Sequence, residues 1–79
     1  MDKNVVFDKV KAIIADKLAI DEDSITLDSS FVNDLKADSM DIIDLVSGFE
    51  EEFDLTVPDE KGRTFETVRD AVDYLAKVL

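Results

Sequence analysis

A serine stands between two acids in "DLKADSMDIIDLV", residues 34–46, where a helical pattern begins. A serine hydroxyl acts as a nucleophile when a nearby base removes its proton, and histidine is the usual base. The chain contains no His and no Cys, so the common catalytic relays cannot be assembled around Ser39. Two other roles are open to this serine: it caps a helix, or it accepts a group that another enzyme attaches.

The position of Ser39 suits an attached phosphate group. The N-terminus of a helix has free N–H groups and a dipole that favours an anion. Met40, with the acids beside it, would form a docking surface for a basic enzyme. Spacing alone nevertheless favours the simpler role, in which Ser39 caps the helix or lies in its first turn.

Other catalytic and metal-binding patterns are missing from the sequence. It has no Cys/His zinc cluster and no glycine-rich phosphate loop. "DED" at residues 21–23 could start a calcium loop, but that loop would require Gly and Glu where the chain has Thr26 and Val32. Carboxylate pairs are abundant, but a thin bundle is a poor source of the cleft that shifts the pKa of a catalytic acid. We therefore expect a protein that is not an enzyme and holds no specific metal ion.

The composition predicts one small acidic domain over residues 1–79. Hydrophobic residues make up 46% of the chain, which argues against disorder. Twenty acids and nine bases give a net charge of −11, which repels nucleic acid and anionic membranes and attracts basic proteins. No apolar run approaches the roughly 18 residues of a membrane span, and the N-terminus has no signal-peptide pattern. We expect a cytoplasmic protein that binds no nucleic acid.

Hydrophobic periodicity predicts three amphipathic helices and one short helix, an all-α fold of the small four-helix-bundle type. The first helix is predicted over residues 5–18, with Asn4 as its N-cap. Residues 59–64, after Pro58, are predicted to form the short helix. A long loop over residues 19–38 joins the first two helices. We expect its apolar side chains to pack on the core; they are Ile20, Ile25, Leu27, Phe31, Val32 and Leu35.

The second and last helices begin with capping signals. The second helix is predicted over residues 39–53, with Asp38 as N-cap and Asp41 three residues later in a capping-box spacing. Thr67 followed by Asp70 predicts the start of the last helix in the same way. The buried stripe predicted for that helix is Val68, Ala71, Val72, Leu75 and Leu79.

Taken together, "FVNDLKADS", "EEEFDLTVPDE" and "TVRDAVDYL" resemble the acyl carrier proteins of type II fatty-acid synthesis. The likeness is strongest over residues 31–75, and in length and helix order it covers nearly the whole chain. It implies that Ser39, with Asp38 beside it, carries 4'-phosphopantetheine, which a phosphopantetheinyl transferase takes from coenzyme A. The thiol of this arm would carry acyl groups as thioesters between enzymes.

The resemblance also implies two surfaces. An acidic face of the second helix would dock on basic patches of acyl transferases, ketoacyl synthases, reductases and dehydratases. The implied partner contacts are Met40, Asp41, Asp44, Glu50 and Glu51. The residues implied to line a pocket for the acyl chain are Leu45, Val46, Phe49, Val57, Phe65 and Val68. We expect a monomer, because the apolar helix faces are used inside the chain.

Four residues depart from the usual pattern of this family. Lys36 stands where Gly is common, Ser47 where an apolar residue is common, Arg63 where an acid is common, and Phe65 where a branched aliphatic residue is common. They leave open whether the carrier serves fatty-acid synthesis or a specialised polyketide, modified-lipid or aminoacyl pathway. An acidic adaptor that binds a basic partner and is never modified is the alternative from a different class.

Overall fold

The computed structural model describes residues 2–79, which form an all-α bundle of three main helices and one short helix, as predicted. The main helices are α1 (Lys3–Leu18), α2 (Ser39–Phe53) and α4 (Val68–Val78). The short helix α3 (Asp59–Gly62) ends two residues earlier than predicted. No helix in this range is long and apolar enough to cross a membrane.

Helix α1 begins earlier than the sequence suggested. Asp2 is its N-cap and accepts a hydrogen bond from the Asn4 N–H at 2.8 Å, so the prediction that Asn4 caps the helix is wrong. Both side chains can serve as N-caps, and the one that lies earlier adds a half turn to the helix. The helix ends at Leu18 because Ala19 takes a left-handed conformation with φ of 55°. Its N–H then donates to the Ala15 carbonyl.

The predicted caps of α2 and α4 are confirmed. Asp38 accepts from the Asp41 N–H at 2.9 Å, and Asp41 accepts from the Asp38 N–H at 3.1 Å. Thr67 and Asp70 make the same reciprocal pair at the start of α4. Each capping box satisfies two backbone groups that the helix itself leaves without partners. These local bonds fix where both helices begin.

The core lies between α1, α2 and α4, and its centre is fully buried. Helix α1 packs close to α2 at Gly48, where a Cβ atom would lie 2.9 Å from the Cγ2 of Ile13. A residue with a Cβ atom at this position would require the Ile13 side chain to shift, whereas glycine fits without a shift. Leu79, predicted to be buried, is 42% exposed because it follows the last turn of α4. The most deeply buried large side chains are Val6, Val10, Ile14, Leu45, Phe49, Val68, Val72 and Leu75.

The long loop between α1 and α2 packs on the core through Ile25, Phe31 and Leu35, as predicted. Val32 is 59% exposed, so the prediction that it packs on the core is wrong. It lies in a turn directly after Phe31, and of these two neighbours only Phe31 is buried. A short 3-10 helix, Glu22–Ser24, breaks the loop into two parts.

Backbone hydrogen bonds tie this loop to the start of α4. The Phe31 N–H donates to the Glu66 carbonyl at 3.0 Å, and the Val68 N–H donates to the Ser29 carbonyl at 3.0 Å. Arg69 adds an exposed ion pair with Asp28 at 2.8 Å. The hydrogen bond and the charge of Asp28 raise the pKa of the Arg69 guanidinium, which remains charged in any case. The loop is therefore held by its backbone as well as by its apolar side chains.

The left-handed conformation of Ala19 generates a stability prediction. Ala19→Gly should raise the free energy of unfolding by about 0.5–1 kcal/mol, because glycine adopts positive φ without the steric cost that alanine pays. Ala12→Gly is the matched control, since Ala12 is exposed inside α1. There the same change should lower stability by about 1 kcal/mol. Urea unfolding midpoints would measure both, and equal losses in the two variants would contradict the left-handed assignment.

Candidate functional site

Ser39 is the first residue of α2 and is exposed. Asp38 occupies the N-cap position, so Ser39 lies in the first turn and does not cap the helix. Its hydroxyl makes no hydrogen bond within residues 2–79. The cap therefore leaves the hydroxyl accessible to a partner while it fixes the backbone on which the hydroxyl is carried.

The first turn of α2 also offers free backbone donors beside this hydroxyl. The Asp41 N–H is taken by the Asp38 carboxylate, and the Ile42 N–H is taken by the Asp38 carbonyl. The N–H groups of Ser39 and Met40 have no acceptor in the described part of the chain. Free donors at the positive end of a helix stabilise an anion such as a phosphodiester. The residues around Ser39 thus fit a phosphate-linked group.

Lys36 lies three residues before Ser39 and takes a left-handed conformation with φ of 59°. This conformation costs a residue with a Cβ atom about 1–2 kcal/mol, whereas glycine adopts it freely. The structure thus explains on backbone grounds why glycine would be favoured at this position. The Lys36 side chain is exposed and forms no ion pair among the described residues. It places a positive charge near the start of α2 in an otherwise acidic region.

The predicted partner contacts fall into two groups. Met40, Asp44 and Glu51 are exposed along α2. Asp44 pairs with Lys17 of α1 at 3.5 Å, an exposed ion pair of the kind that contributes about 0–1 kcal/mol. Asp41 is half-buried because its carboxylate is committed to the cap.

Glu50 differs from the other acids of α2. It is half-buried, and its Oε2 accepts a hydrogen bond from the Val57 N–H at 2.9 Å. Its carboxylate therefore closes the connection between α2 and α3. No local sequence pattern predicts this bond, because the two residues are seven positions apart across a helix end. Glu50 therefore contributes more to the conformation of the site than to the exposed negative charge of α2.

Ile43 is an exposed apolar residue of α2 that was not among the predicted partner contacts. It is 61% exposed and lies three residues after Met40, which is 72% exposed. Side chains at this spacing are neighbours on a helix surface. The two form an apolar patch, which we call the Met40–Ile43 patch, beside the serine. The spacing from Met40 was the signal that could have found it.

A groove of about 490 Å³ runs between α2 and α3. Ser39 lies at its rim, and Gly62 brings α3 close to α2, where a Cβ atom would lie 3.2 Å from the Cγ2 of Val46. Two of the residues that depart from the family pattern, Ser47 and Arg63, line this groove. The full lining is Ser39, Ile42, Ile43, Val46, Ser47, Glu50, Asp59, Gly62 and Arg63.

Of the six residues predicted to line an acyl pocket, only Val46 lines this groove. The other five are buried in the core. Phe65 also borders a second, more open groove of about 540 Å³, where its ring lies 5.8 Å from that of Tyr74. An acyl chain that used all six residues would have to part the core. That pocket stays a prediction.

Comparisons with known proteins agree with this geometry. A family model described as a phosphopantetheine attachment site matches residues 8–75. The acyl carrier protein of Clostridium perfringens strain 13 is 50% identical over 72 residues, which cover 91% of this chain and 95% of that protein. The acyl carrier protein of Petrotoga mobilis is 48% identical over 79 residues, which cover 100% of this chain and 93% of that protein. The chain therefore belongs to the acyl carrier protein family, which binds phosphopantetheine, and it is a carrier rather than an enzyme.

Proposed function

We propose that Ser39 carries the 4'-phosphopantetheine arm and that this carrier delivers acyl groups to the enzymes of fatty-acid synthesis. The observation that carries the assignment of Ser39 is its free hydroxyl beside two free backbone N–H groups. The chain has five serines. The hydroxyls of Ser24, Ser29 and Ser30 are engaged in hydrogen bonds. Ser47 is free but lies inside α2, where the helix offers no unpaired N–H to an anion.

The arm would be held by one covalent bond and by the start of α2. The hydroxyl oxygen of Ser39 would form the bond to phosphorus as a P–O bond in the pyrophosphate of coenzyme A breaks. Adenosine 3',5'-bisphosphate would be the leaving group, and the hydroxyl proton would pass to a base. The chain contains no His or Cys, and the Asp38 carboxylate beside Ser39 accepts the Asp41 N–H, so we assign that base to the phosphopantetheinyl transferase. When bound, the arm supplies a thiol that holds acyl groups as thioesters. Asp38 supports the site by keeping the first turn in place.

The exposed side of α2 suits a basic partner. The Met40–Ile43 patch supplies an apolar contact, and Asp44 and Glu51 supply negative charge around it. Charges at the rim of an interface mainly speed association, and a small apolar contact lets the complex dissociate quickly. A carrier that visits a transferase, acyl transferases, ketoacyl synthases, reductases and dehydratases in turn requires both properties. We propose this face as their shared docking surface.

We also propose that the protein is a monomer and that it acts in the cytoplasm, where coenzyme A is available. The apolar faces of α1, α2 and α4 pack against one another inside a single chain. The Met40–Ile43 patch contains only two side chains, which is small for a stable dimer contact. A single chain also leaves the docking surface open to each enzyme.

Intact mass spectrometry tests the attachment site. After incubation with coenzyme A and a promiscuous phosphopantetheinyl transferase, the unmodified protein should gain the mass of one phosphopantetheine. Ser39→Ala should gain nothing, because the accepting oxygen is gone. Ser47→Ala is the matched control and should gain the arm as the wild type does. A gain of mass in Ser39→Ala would contradict the assignment of Ser39. No gain in a wild-type sample shown to start unmodified would instead support the alternative of an acidic adaptor that is never modified.

Steady-state kinetics of the same transferase test the docking surface. Glu51→Gln should lower kcat/KM by roughly two- to fivefold at low salt, because one exposed ion pair contributes about 0.5–1 kcal/mol. The loss should shrink at high salt, where ions screen exposed charges. Glu22→Gln removes the same charge from the exposed 3-10 helix away from α2 and should leave kcat/KM unchanged. Equal losses in both variants would show that only the net charge matters.

A further inference from the structure

Among residues 2–79, Arg63 is the single cation that lines the groove between α2 and α3. Its side chain is exposed, and it forms no ion pair with any residue from 2 to 79. From this arrangement we propose that the carrier favours acyl groups that end in a carboxylate and that Arg63 binds that carboxylate inside the groove. The inference rests on the proposed attachment of the arm at Ser39, and it names the class of acyl group that the site accepts.

The walls of the groove match an acyl group with an apolar stem and a polar end. Ile42, Ile43 and Val46 form an aliphatic wall on α2. Ser47 adds a hydroxyl farther along the same helix, and Arg63 faces this wall from the end of α3. Ligand grooves that combine an apolar lining with a few polar groups fix both the affinity and the orientation of their ligand. A purely aliphatic chain would make no hydrogen bond or ion pair with Arg63 or Ser47.

The acids in the groove leave the guanidinium of Arg63 available. Glu50 already accepts the Val57 N–H at 2.9 Å. Asp59 is four residues before Arg63, but the contact between them is the 3.1 Å hydrogen bond from the Arg63 N–H to the Asp59 carbonyl, with no ion pair between the side chains. A planar guanidinium can hold a carboxylate through two parallel hydrogen bonds, which makes Arg63 selective for that group.

The position of Arg63 favours a carboxylate on the acyl group over the phosphate of the arm. Gly62, its neighbour, packs against Val46, which is seven residues after Ser39 on α2. At 1.5 Å per residue, this places the contact about 10 Å along the helix from the attachment point. The phosphate must stay bonded to Ser39, whereas a tethered acyl group can fold back along the aliphatic wall to Arg63. The tether raises the local concentration of the acyl group, so a modest contact suffices.

Thermal melts of loaded protein test the proposal. The arm is loaded either with a succinyl group, which ends in a carboxylate, or with a butyryl group of the same length and no charge. In a protein of net charge −11, another negative charge should by itself lower the melting temperature or leave it unchanged. Binding to Arg63 predicts the opposite sign: the succinyl form should melt roughly 3–5 °C above the butyryl form.

Two variants assign this difference to Arg63. Arg63→Gln should abolish or reverse the order of the succinyl and butyryl forms. Lys61→Gln removes the same charge from α3, but Lys61 lies over the ring of Tyr74 at 5.3 Å and does not line the groove. It should keep the wild-type order. A carbon-13 NMR titration of the succinyl carboxyl should show a pKa lowered in the wild type and in Lys61→Gln but not in Arg63→Gln.

Three outcomes would overturn the proposal. Equal melting temperatures of the succinyl and butyryl forms in the wild type would show that Arg63 does not bind the carboxylate. An equal effect of Arg63→Gln on the unacylated arm and on the succinyl form would assign Arg63 to the phosphate. Failure of Ser39 to accept the arm would overturn the proposed function as well, whereas an arm that attaches and ignores the carboxylate would overturn this inference alone.

Discussion

The capping box at the start of α2 is the interaction on which the site depends. Asp38 and Asp41 satisfy each other's backbone N–H groups at 2.9 and 3.1 Å, so the helix requires no help from Ser39. A serine at the N-cap would direct its hydroxyl into the helix as an acceptor. Because an aspartate takes that place, the hydroxyl of Ser39 stays free at the positive end of a 15-residue helix. The same two carboxylates begin the acidic surface of α2.

The long loop before α2 holds this start in position. Its backbone is bonded to the start of α4, and the Ala37 N–H donates to the Phe31 carbonyl at 2.8 Å. The backbone of Lys36 adopts a left-handed conformation with φ of 59°, two residues before the N-cap Asp38. A small domain buries too little surface to hold twenty loop residues by apolar contacts alone. Backbone pairing with another segment supplies the rest.

The groove has a different origin, since it arises from contacts between α2 and the segment that follows it. Gly62 lets the four-residue α3 approach Val46, and Glu50 fastens Val57 to the side of α2. Between these two contacts the surfaces diverge and leave space for a tethered group. Of the residues of α3, only Gly62 is buried, so few buried side chains hold this helix against the rest of the bundle. The two unusual polar residues, Ser47 and Arg63, lie in this space.

The sequence alone determined the order of the helices, the caps of α2 and α4, and the buried stripe of α4 except Leu79, because helical periodicity and capping depend on residues three or four apart. It misplaced the first residue of α1, where Asp2 and Asn4 are equally good caps, and it misplaced Val32, whose exposure depends on a turn. Only the tertiary structure decided that the Glu50 carboxylate accepts the Val57 N–H and that Ser47 and Arg63 line the same groove as Ser39. These facts come from contacts between separate elements, and no local pattern encodes them.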